Sequence, residues 1–308
     1  MQQHTAGRRQ SERLTAFNPY FPEIIIINTM QTLNTVAEIR ALSREWHQAG
    51  ERIAVVPTMG FLHDGHLSLI RLAREHADRV IVSIFVNPTQ FGPNEDLARY
   101  PRDLKRDQAL CEQTGADAVF HPAPEEMYAP DFSTWVNEES LSRTLCGAFR
   151  PIHFRGVCTV CLKLFNITRA DCAVFGRKDA QQLLVIERMV RDLNVPVEII
   201  EAPLVREEDG LARSSRNKYL SEDEHRRALS LSRGLSAARA AYAAGERDAG
   251  ALKAAVRREI EGNADHVDYI DLMSRDTLRP AARVDSPALL AVAAYFGGTR
   301  LIDNIFLD

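Results

Sequence analysis

Two histidines three residues apart, His63 and His66, lie in the segment Pro57-Thr58-Met59-Gly60-Phe61-Leu62-His63-Asp64-Gly65-His66, between a β-branched run at 52–56 and a helical run at 67–77. A glycine-containing turn from strand to helix aims unpaired backbone N–H groups and the positive end of the helix dipole outward, where they hold anionic oxygens. Imidazoles at that helix start can also donate to an oxygen that gains charge when a phosphoanhydride breaks, which suits attack at an α-phosphate. The spacing Gly60-x4-Gly65 imitates a P-loop. However, His66 and Leu67 stand where that motif has Lys and Ser or Thr, so a kinase or GTPase is not expected. A capping histidine beside a buried one, or a metal pair, remains an alternative reading. For zinc, Asp64 is the nearby carboxylate, and a catalytic zinc normally needs three protein ligands.

Four further segments supply polar groups where strands should end. Asn87 and Gln90, in Val86-Asn-Pro-Thr-Gln-Phe-Gly-Pro93, leave a strand run and would face the same crevice as His63. Lys178 and Asp179, in Phe175-Gly-Arg-Lys-Asp-Ala-Gln-Gln182, open a helical run. A lysine there opposes the helix dipole, so it is expected to face an anion, with Gln182 one turn along on the same side. Arg213-Ser-Ser-Arg216-Asn217 offers guanidinium and hydroxyl donors in an apparent hinge. Asp96 could hold Mg²⁺ through waters, since Mg²⁺ usually relies on one or two carboxylates plus substrate phosphates.

The elements that must position these groups follow from periodicity. Short β-branched runs at 24–27, 53–56, 80–86, 118–120, 172–175 and 197–200 alternate with helical stretches, the signature of a parallel sheet with crossover helices. A Rossmann-like, doubly wound α/β domain is expected over 23–204, with ligands at the carboxyl ends of the strands. A smaller α+β domain is expected over 205–308. It would hold a long helix from the Ser221 capping box to about 245, a helix at 251–261, and strands at 267–273, 288–294 and 300–306. Residues 1–22 read as a disordered extension.

Composition narrows the partners. The 308 residues, 45% hydrophobic and 26% charged, can bury a substantial core, and a net charge of −4 gives no general pull toward nucleic acid. Arg8, Arg9 and Arg13 form a weak basic patch in the polar N-terminal tail. No apolar stretch reaches the roughly 18 residues of a membrane span, and 24–27 is too short for a signal-peptide core. A cytoplasmic location is the expectation. Five cysteines in apolar settings read as reduced thiols. Cys158 and Cys161 are expected in a helix core, with no second pair or histidine to complete a metal site.

Taken together, several linked motifs resemble one family. They are Pro57-Thr-Met-Gly60 with His63-x-Gly-His66, Val86-Asn-Pro-x-Gln-Phe91, Phe154-Arg-Gly-Val157, Lys163-Leu-Phe-Asn166, Phe175-Gly-x-Lys-Asp179 with Gln181-Gln182, and Ser214-Ser-Arg-Asn217. In order and spacing, from about residue 24 to 308, they resemble the pantothenate synthetases, AMP-forming pantoate:beta-alanine ligases of the HIGH-type nucleotidyltransferase superfamily. The resemblance implies a homodimer that uses Mg-ATP to convert pantoate to pantoyl adenylate, which beta-alanine then attacks to give pantothenate for coenzyme A. It implies that Met59, Gly60, Phe61, Leu62, His63, Asp64, Gly65 and His66 wrap ATP, with His66 donating a proton and His63 and Lys178 sharing the catalysis. Gly176, Arg177, Lys178, Asp179, Val205, Arg213, Ser214, Ser215 and Arg216 would also contact ATP. Gln90 and Gln182 would hold pantoate, Gln90 also lying near beta-alanine.

Four positions depart from the family pattern. Arg177 stands where Glu is frequent and is expected to face solvent. Cys158 and Cys161 replace aliphatics. Arg213 replaces an apolar residue, and its guanidinium is expected to turn out into water over its aliphatic stem. Rival readings are a related adenylyltransferase, which would need cations for a phosphate acceptor in place of paired glutamines, and a nucleotide-sensing regulator without turnover.

Overall fold

A computed structural model describes residues 30–93 and 95–308. The strand expected at 24–27 and the extension 1–22 lie outside these residues. Strands β1 (Gln31–Leu33), β2 (Ile53–Thr58), β3 (Arg79–Ile84), β4 (Ala118–Phe120), β5 (Cys172–Gly176) and β6 (Glu198–Ala202) form one parallel sheet in the order β1-β4-β3-β2-β5-β6. Helices α1 (Val36–Gln48), α2 (Asp64–His76), α3 (Leu104–Thr114), α4 (Pro124–Met127), α5 (Cys146–Phe149), α6 (His153–Thr168) and α7 (Ala180–Asp192) complete this domain.

The central strands are apolar without alternation because both of their faces are covered. On one face Ile53 and Val55 pack with Ile39 and Trp46 of α1, Leu164 of α6 and Leu183 of α7. On the other, Ala54 and Val56 pack with Ile70 of α2 and Cys111 of α3. Cys158 and Cys161 lie in the first of these cores, as small buried hydrophobes. Helix α1 starts at a capping box in which Thr35 and Glu38 satisfy each other's backbone N–H groups. From β2 the chain builds outward to β3 and β4, then returns to place β5 on the opposite side of β2. That reversal leaves a crevice beyond the carboxyl ends of β2 and β5, where open α/β sheets bind ligands.

After β6 a short hairpin, bridged between Arg206 and Ala212, leads into a second layer. It comprises α8 (Glu222–Ala228), α9 (Ser230–Ala243), α10 (Ala249–Ile260) and an antiparallel sheet of β7 (His266–Ser274), β8 (Ala288–Phe296) and β9 (Thr299–Leu307), with β8 in the middle. The single long helix expected from Ser221 is broken once, at Leu229, where ψ of −19° opens the turn. One face of this sheet, with Leu290, Val292 and Ile305, packs on Leu231, Leu235 and Val256 of the helices. Leu289 and Ala291, on the other face, join the core of the first domain, with Ile302 and Phe306 packed against it. No helix among the described residues is long and apolar enough to cross a membrane.

One close approach sets the wall of the crevice. Helix α6 lies against the 3-10 turn Pro88–Gln90, and a Cβ on Gly156 would sit 2.6 Å from the Thr89 carbonyl oxygen and 2.7 Å from the Gln90 nitrogen. Backbone cannot yield as a side chain would. Gly156→Ala is therefore expected to lower stability by about 1–3 kcal/mol, the usual result of forcing atoms into a packed site. Urea unfolding checks this, and an unchanged midpoint would show that the turn gives way freely.

Candidate active site

The turn after β2 is built around a buried carboxylate. Gly60 and Phe61 adopt positive φ of 81° and 50°, and the chain curls so that the Phe61 and Leu62 N–H groups donate to the two oxygens of Asp107, at 2.6 and 2.8 Å. A side chain at Gly60 would meet Asp107 Oδ2 and Ile84 Cγ2 at 3.0 Å, so glycine suits both the backbone angle and the space. Burial raises the Asp107 pKa above the ordinary carboxylate value, against the pull of the Leu62 and Phe61 amides and the Arg106 charge. Leu62, fully buried, pins the turn from below. Met59, His63, Gly65 and His66 line the cleft. Gly60, Phe61 and Leu62 support it from behind, and Asp64 is exposed at the start of α2.

The two imidazoles stack at that helix start with ring centres 4.0 Å apart. His66 Nδ1 accepts the His63 backbone N–H at 3.3 Å, which puts the proton of a neutral His66 on Nε2. Burial depresses the His63 pKa from 6.5 to about 4, aided by the charges of Lys178, Arg213 and Arg106. Burial, His63 and Lys178 hold His66 well below its ordinary value, Asp179 opposing them. Both rings are therefore neutral at pH 7 and can donate N–H without carrying charge.

Strand β5 delivers the second turn. Gly176, Lys178 and Asp179 line the cleft opposite the imidazoles, and Lys178 Nζ lies 3.5 Å from Asp179 Oδ2. Burial alone would raise Asp179, but Lys178, His153 and Arg216 outweigh it and keep the carboxylate below its ordinary pKa. Arg177 keeps over a third of its side chain exposed but does not stand free in solvent. Its guanidinium pairs with Glu201 and lies 5.0 Å from the centre of the Phe306 ring, because β6 and the second domain flank the turn with a carboxylate and an aromatic face. Asn304 of β9 donates to the Arg177 and Lys178 carbonyl oxygens at 2.9 and 3.0 Å.

The third wall follows β3. Asn87 accepts from the Tyr128 hydroxyl at 2.9 Å and donates through Nδ2 to Gln90 Oε1 at 3.0 Å and to the Gly156 carbonyl at 3.1 Å. The carbonyl end of the Gln90 amide is thereby satisfied, and its NH₂ is left toward the cleft, near Met59 Sδ at 3.1 Å. Gln182 lines the same cleft. His153, with its pKa lowered to about 4 by burial and by Arg150, braces the Gln90 backbone carbonyl at 3.0 Å through Nδ1.

The hinge segment forms the last wall. Val205, Arg213, Ser214, Ser215 and Arg216 all line the cleft, and the Arg213 N–H donates to the Val205 carbonyl at 3.0 Å. Arg213 does not turn out into water. Its Nη2 pairs with Asp64 Oδ2 at 2.8 Å and its Nε is buried, since Asp64 at the first helical position of α2 attracts the guanidinium across the cleft mouth. Arg216 forks onto both oxygens of Asp96 at 3.0 Å, and Lys218 lies 4.1 Å from the centre of the Phe61 ring. Burial is the largest influence on Asp96 and raises it, yet Arg216 holds its pKa below the ordinary value. Asp64, Asp96 and Asp179 are thus each matched by a neighbouring cation. This set does not fit a metal ion held by protein carboxylates, which would have to displace Arg216 from Asp96.

Sequence reasoning missed four contributors: Asp107, Asn304, His153 and Arg150. Asp107 left a signal, since it shares a helix face with Leu104 and Cys111, where an apolar residue would be usual.

The sequence profile of the pantoate-beta-alanine ligase family matches residues 31–306. The chain belongs to that family. A pantothenate synthetase of Thermotoga petrophila is 53% identical over 279 residues, covering 90% of this chain and 100% of that relative. One from Moorella thermoacetica is 55% identical over 280 residues, covering 91% and 99%. The crystal structure of pantothenate synthetase from Thermus thermophilus has a TM-score of 0.85 at 45% identity and covers 90% of this chain and 99% of its own. That of the Francisella tularensis pantoate-beta-alanine ligase, complexed with beta-gamma ATP and beta-alanine, has a TM-score of 0.75 at 31% identity and covers 90% and 97%. The chain is accordingly an enzyme of this ligase class, and the Rossmann-like sheet with its smaller C-terminal layer is the fold the family shares.

Two outcomes test this geometry. Unfolded, His63 ionises near 6.5, and folded near 4, so between those values the unfolded chain binds more protons and stability falls as pH is lowered. Above about pH 6.5 this contribution is flat. His63→Gln should reduce the slope of unfolding free energy between pH 6 and 5 by up to about 1.4 kcal/mol per pH unit, read from urea midpoints. An unchanged slope would place the imidazole in water. Asp107→Ala leaves the Phe61 and Leu62 N–H groups without an acceptor and should cost about 1–3 kcal/mol for each, measured by the same unfolding experiment.

Proposed function

We propose that the cleft joins pantoate to beta-alanine with ATP by way of pantoyl adenylate. The pantoate carboxylate oxygen attacks the α-phosphorus, forming a mixed anhydride as the bond to the β-phosphate oxygen breaks and pyrophosphate leaves. The amine of beta-alanine then attacks the acyl carbon, the carbon–oxygen bond to phosphate breaks, the nitrogen loses a proton, and pantothenate and AMP are released. The observation that carries this reading is the meeting of unlike walls. The turns after β2 and β5 present His63, His66 and Lys178, while Gln90 and Gln182 present neutral amides to the same cleft. Amides can orient a carboxylate or hydroxyl without a fixed charge that would blunt its attack.

Asp107 occupies the Phe61 and Leu62 amides, so in this reading the triphosphate meets the start of α2, the imidazoles, Lys178 and the Ser214, Ser215 and Arg216 donors. His66 donates from Nε2 to charge that builds on the departing or bridging oxygen. Met59, Gly65, Gly176, Val205 and Arg213 shape the nucleotide side, with Gly60, Phe61, Leu62, Asp64, Arg177 and Asp179 supporting it. Gln90 and Gln182 hold pantoate, and Gln90 also borders the beta-alanine position. Mg²⁺ enters as part of the Mg-ATP substrate, its ligands being phosphate oxygens and water, because Asp96 is engaged by Arg216. A homodimer in the cytoplasm belongs to the same reading, and the five buried free thiols support a reducing compartment.

Exchange of labelled pyrophosphate into ATP tests the proposal. It should require pantoate and proceed without beta-alanine. Exchange that ignores pantoate but responds to a phosphorylated acceptor would establish the rival adenylyltransferase reading. Within the pantoate reaction, Lys178→Ala and His66→Ala should each slow adenylate formation about 10²-fold or more, as loss of a preorganised donor does. Single-turnover quench-flow measures this, and a change of only a few-fold would remove that residue from the mechanism.

A further inference from the structure

Asn304 has no place in the adenylation chemistry, yet it touches the backbone that carries Lys178. It sits on β9 and is buried, with 7% of the residue exposed. Both hydrogens of its amide are used, one on the Arg177 carbonyl at 2.9 Å and one on the Lys178 carbonyl at 3.0 Å. These carbonyls belong to the 3-10 turn Arg177–Asp179, which lies between the end of β5 and the start of α7. It is a single turn, joined directly to Gly176 of β5 and Ala180 of α7, and Asn304 grips it from the second domain. We propose that Asn304 is a positioning residue for Lys178, setting the place of the ammonium group by gripping the turn beneath it from the second domain.

The neighbouring residue gives the arrangement a second arm. Consecutive side chains of a strand point to opposite faces. Asp303, 2% exposed, takes Arg206 in a fork at 2.7 and 3.0 Å, and also accepts the Asn304 backbone N–H at 2.7 Å. Arg206 lies on the hairpin that leads to Ser214, Ser215 and Arg216, and it donates in addition to the Gly210 carbonyl. One dipeptide of β9 thus holds the Lys178 turn on one side and the hinge segment on the other. The two sets of donors on the nucleotide side are registered to each other through it. Lysine is suited to such control, because its long stem carries a point charge whose reach depends on where its backbone is held.

Contacts that join the domains survive the loss of this amide. The Arg275 pair with Glu201, the Arg177 guanidinium against the Phe306 ring, and the packing of Leu289 and Ala291 against the first domain do not involve Asn304. Asn304→Ala should therefore fold, with a melting temperature within about 4 °C of wild type.

The proposal rests on the adenylation reading, and its test separates the two. Pantoate-dependent pyrophosphate exchange is measured for the wild type, Asn304→Ala, Lys178→Ala and the double variant, beside the affinity of each for a non-hydrolysable ATP analogue. Asn304→Ala should lower kcat about 10- to 100-fold, the scale set by misplacement of a catalytic group, with the KM for pantoate within about twofold. In the Lys178→Ala background the same change should cost less than about twofold, because residues that act as a unit are not additive. Asn304→Asp, which keeps the shape but turns a donor toward two carbonyls into an acceptor, should be at least as impaired as Asn304→Ala. A kcat within twofold of wild type for Asn304→Ala, or losses that multiply in the double variant, would overturn the proposal. Should Asn304→Ala fail to fold, Asn304→Ser, with one donor in place of two, must show an intermediate kcat, and wild-type activity in it would be equally fatal. A wild type that lacks pantoate-dependent exchange refutes the adenylation reading instead. The analogue affinities then decide the positioning role by the same non-additivity.

Discussion

Strand β2 is paired on both sides by parallel strands that the chain supplies at different times, β3 directly after it and β5 once β4 and the helices α3 to α6 have intervened. Parallel pairing at both edges means that the carboxyl ends of β2 and β5 must emerge side by side. The turns that follow them can only close toward their own helices, so they open a gap between them. His63 and His66 stand on one lip and Lys178 on the other. The Asn87–Gln90 turn after β3 closes the third side for the same reason. Had β5 joined the sheet beyond β4, these groups would stand several strand spacings apart, at about 4.8 Å each.

Electrostatic matching then completes what topology begins. Asp64 with Arg213, Asp96 with Arg216, and Asp179 with Lys178 each join a carboxylate to a cation at the cleft, and three of the four walls contribute. The Coulomb gain of these pairs is offset by the cost of removing the charges from water, so they are weak evidence for stability. They do set the local potential. A polyanionic ligand entering the cleft meets cations already held in place by carboxylates, so little reorganisation is required of the protein as charge shifts along the phosphates. Neutral imidazoles fit the same pattern, supplying N–H groups without adding charge.

Much of this was legible in the chain, and what was hidden has physical causes. The runs at 53–56, 118–120 and 172–175 announced themselves because strands buried on both faces read as unbroken apolar stretches, and the Ser221 capping box marked its helix start. The strand Gln31–Leu33 left little trace, being three residues long and at the sheet edge. Among site residues, those on the turns were visible because Gly, His and Lys at strand ends have few structural excuses. Asp107 and Asn304 act through backbone atoms of other segments, and no local pattern encodes a partner 46 or 126 residues away. The directions of Arg177 and Arg213 escape a sequence reading for a related reason. Their partners, Glu201 and Asp64, become neighbours only after the sheet and hinge have formed.

The backbone contact between Gly156 and the Thr89–Gln90 peptide bears on how this enzyme could acquire new substrates. The wall at this contact, assigned to the acid in the proposed reading, is main chain resting on main chain, with Asn87 fastened to both partners, so there is no side chain between them to trim. Shortening residues around Gln90 would leave the outline of that wall where it is. On the proposed reading, broader acceptance of carboxylic acids would come through Gln182 on α7, which lines the same cleft and whose position a helix surface can vary one residue at a time. Laboratory evolution toward bulkier hydroxy acids should therefore accumulate changes on α7 and leave the Asn87–Gln90 turn untouched.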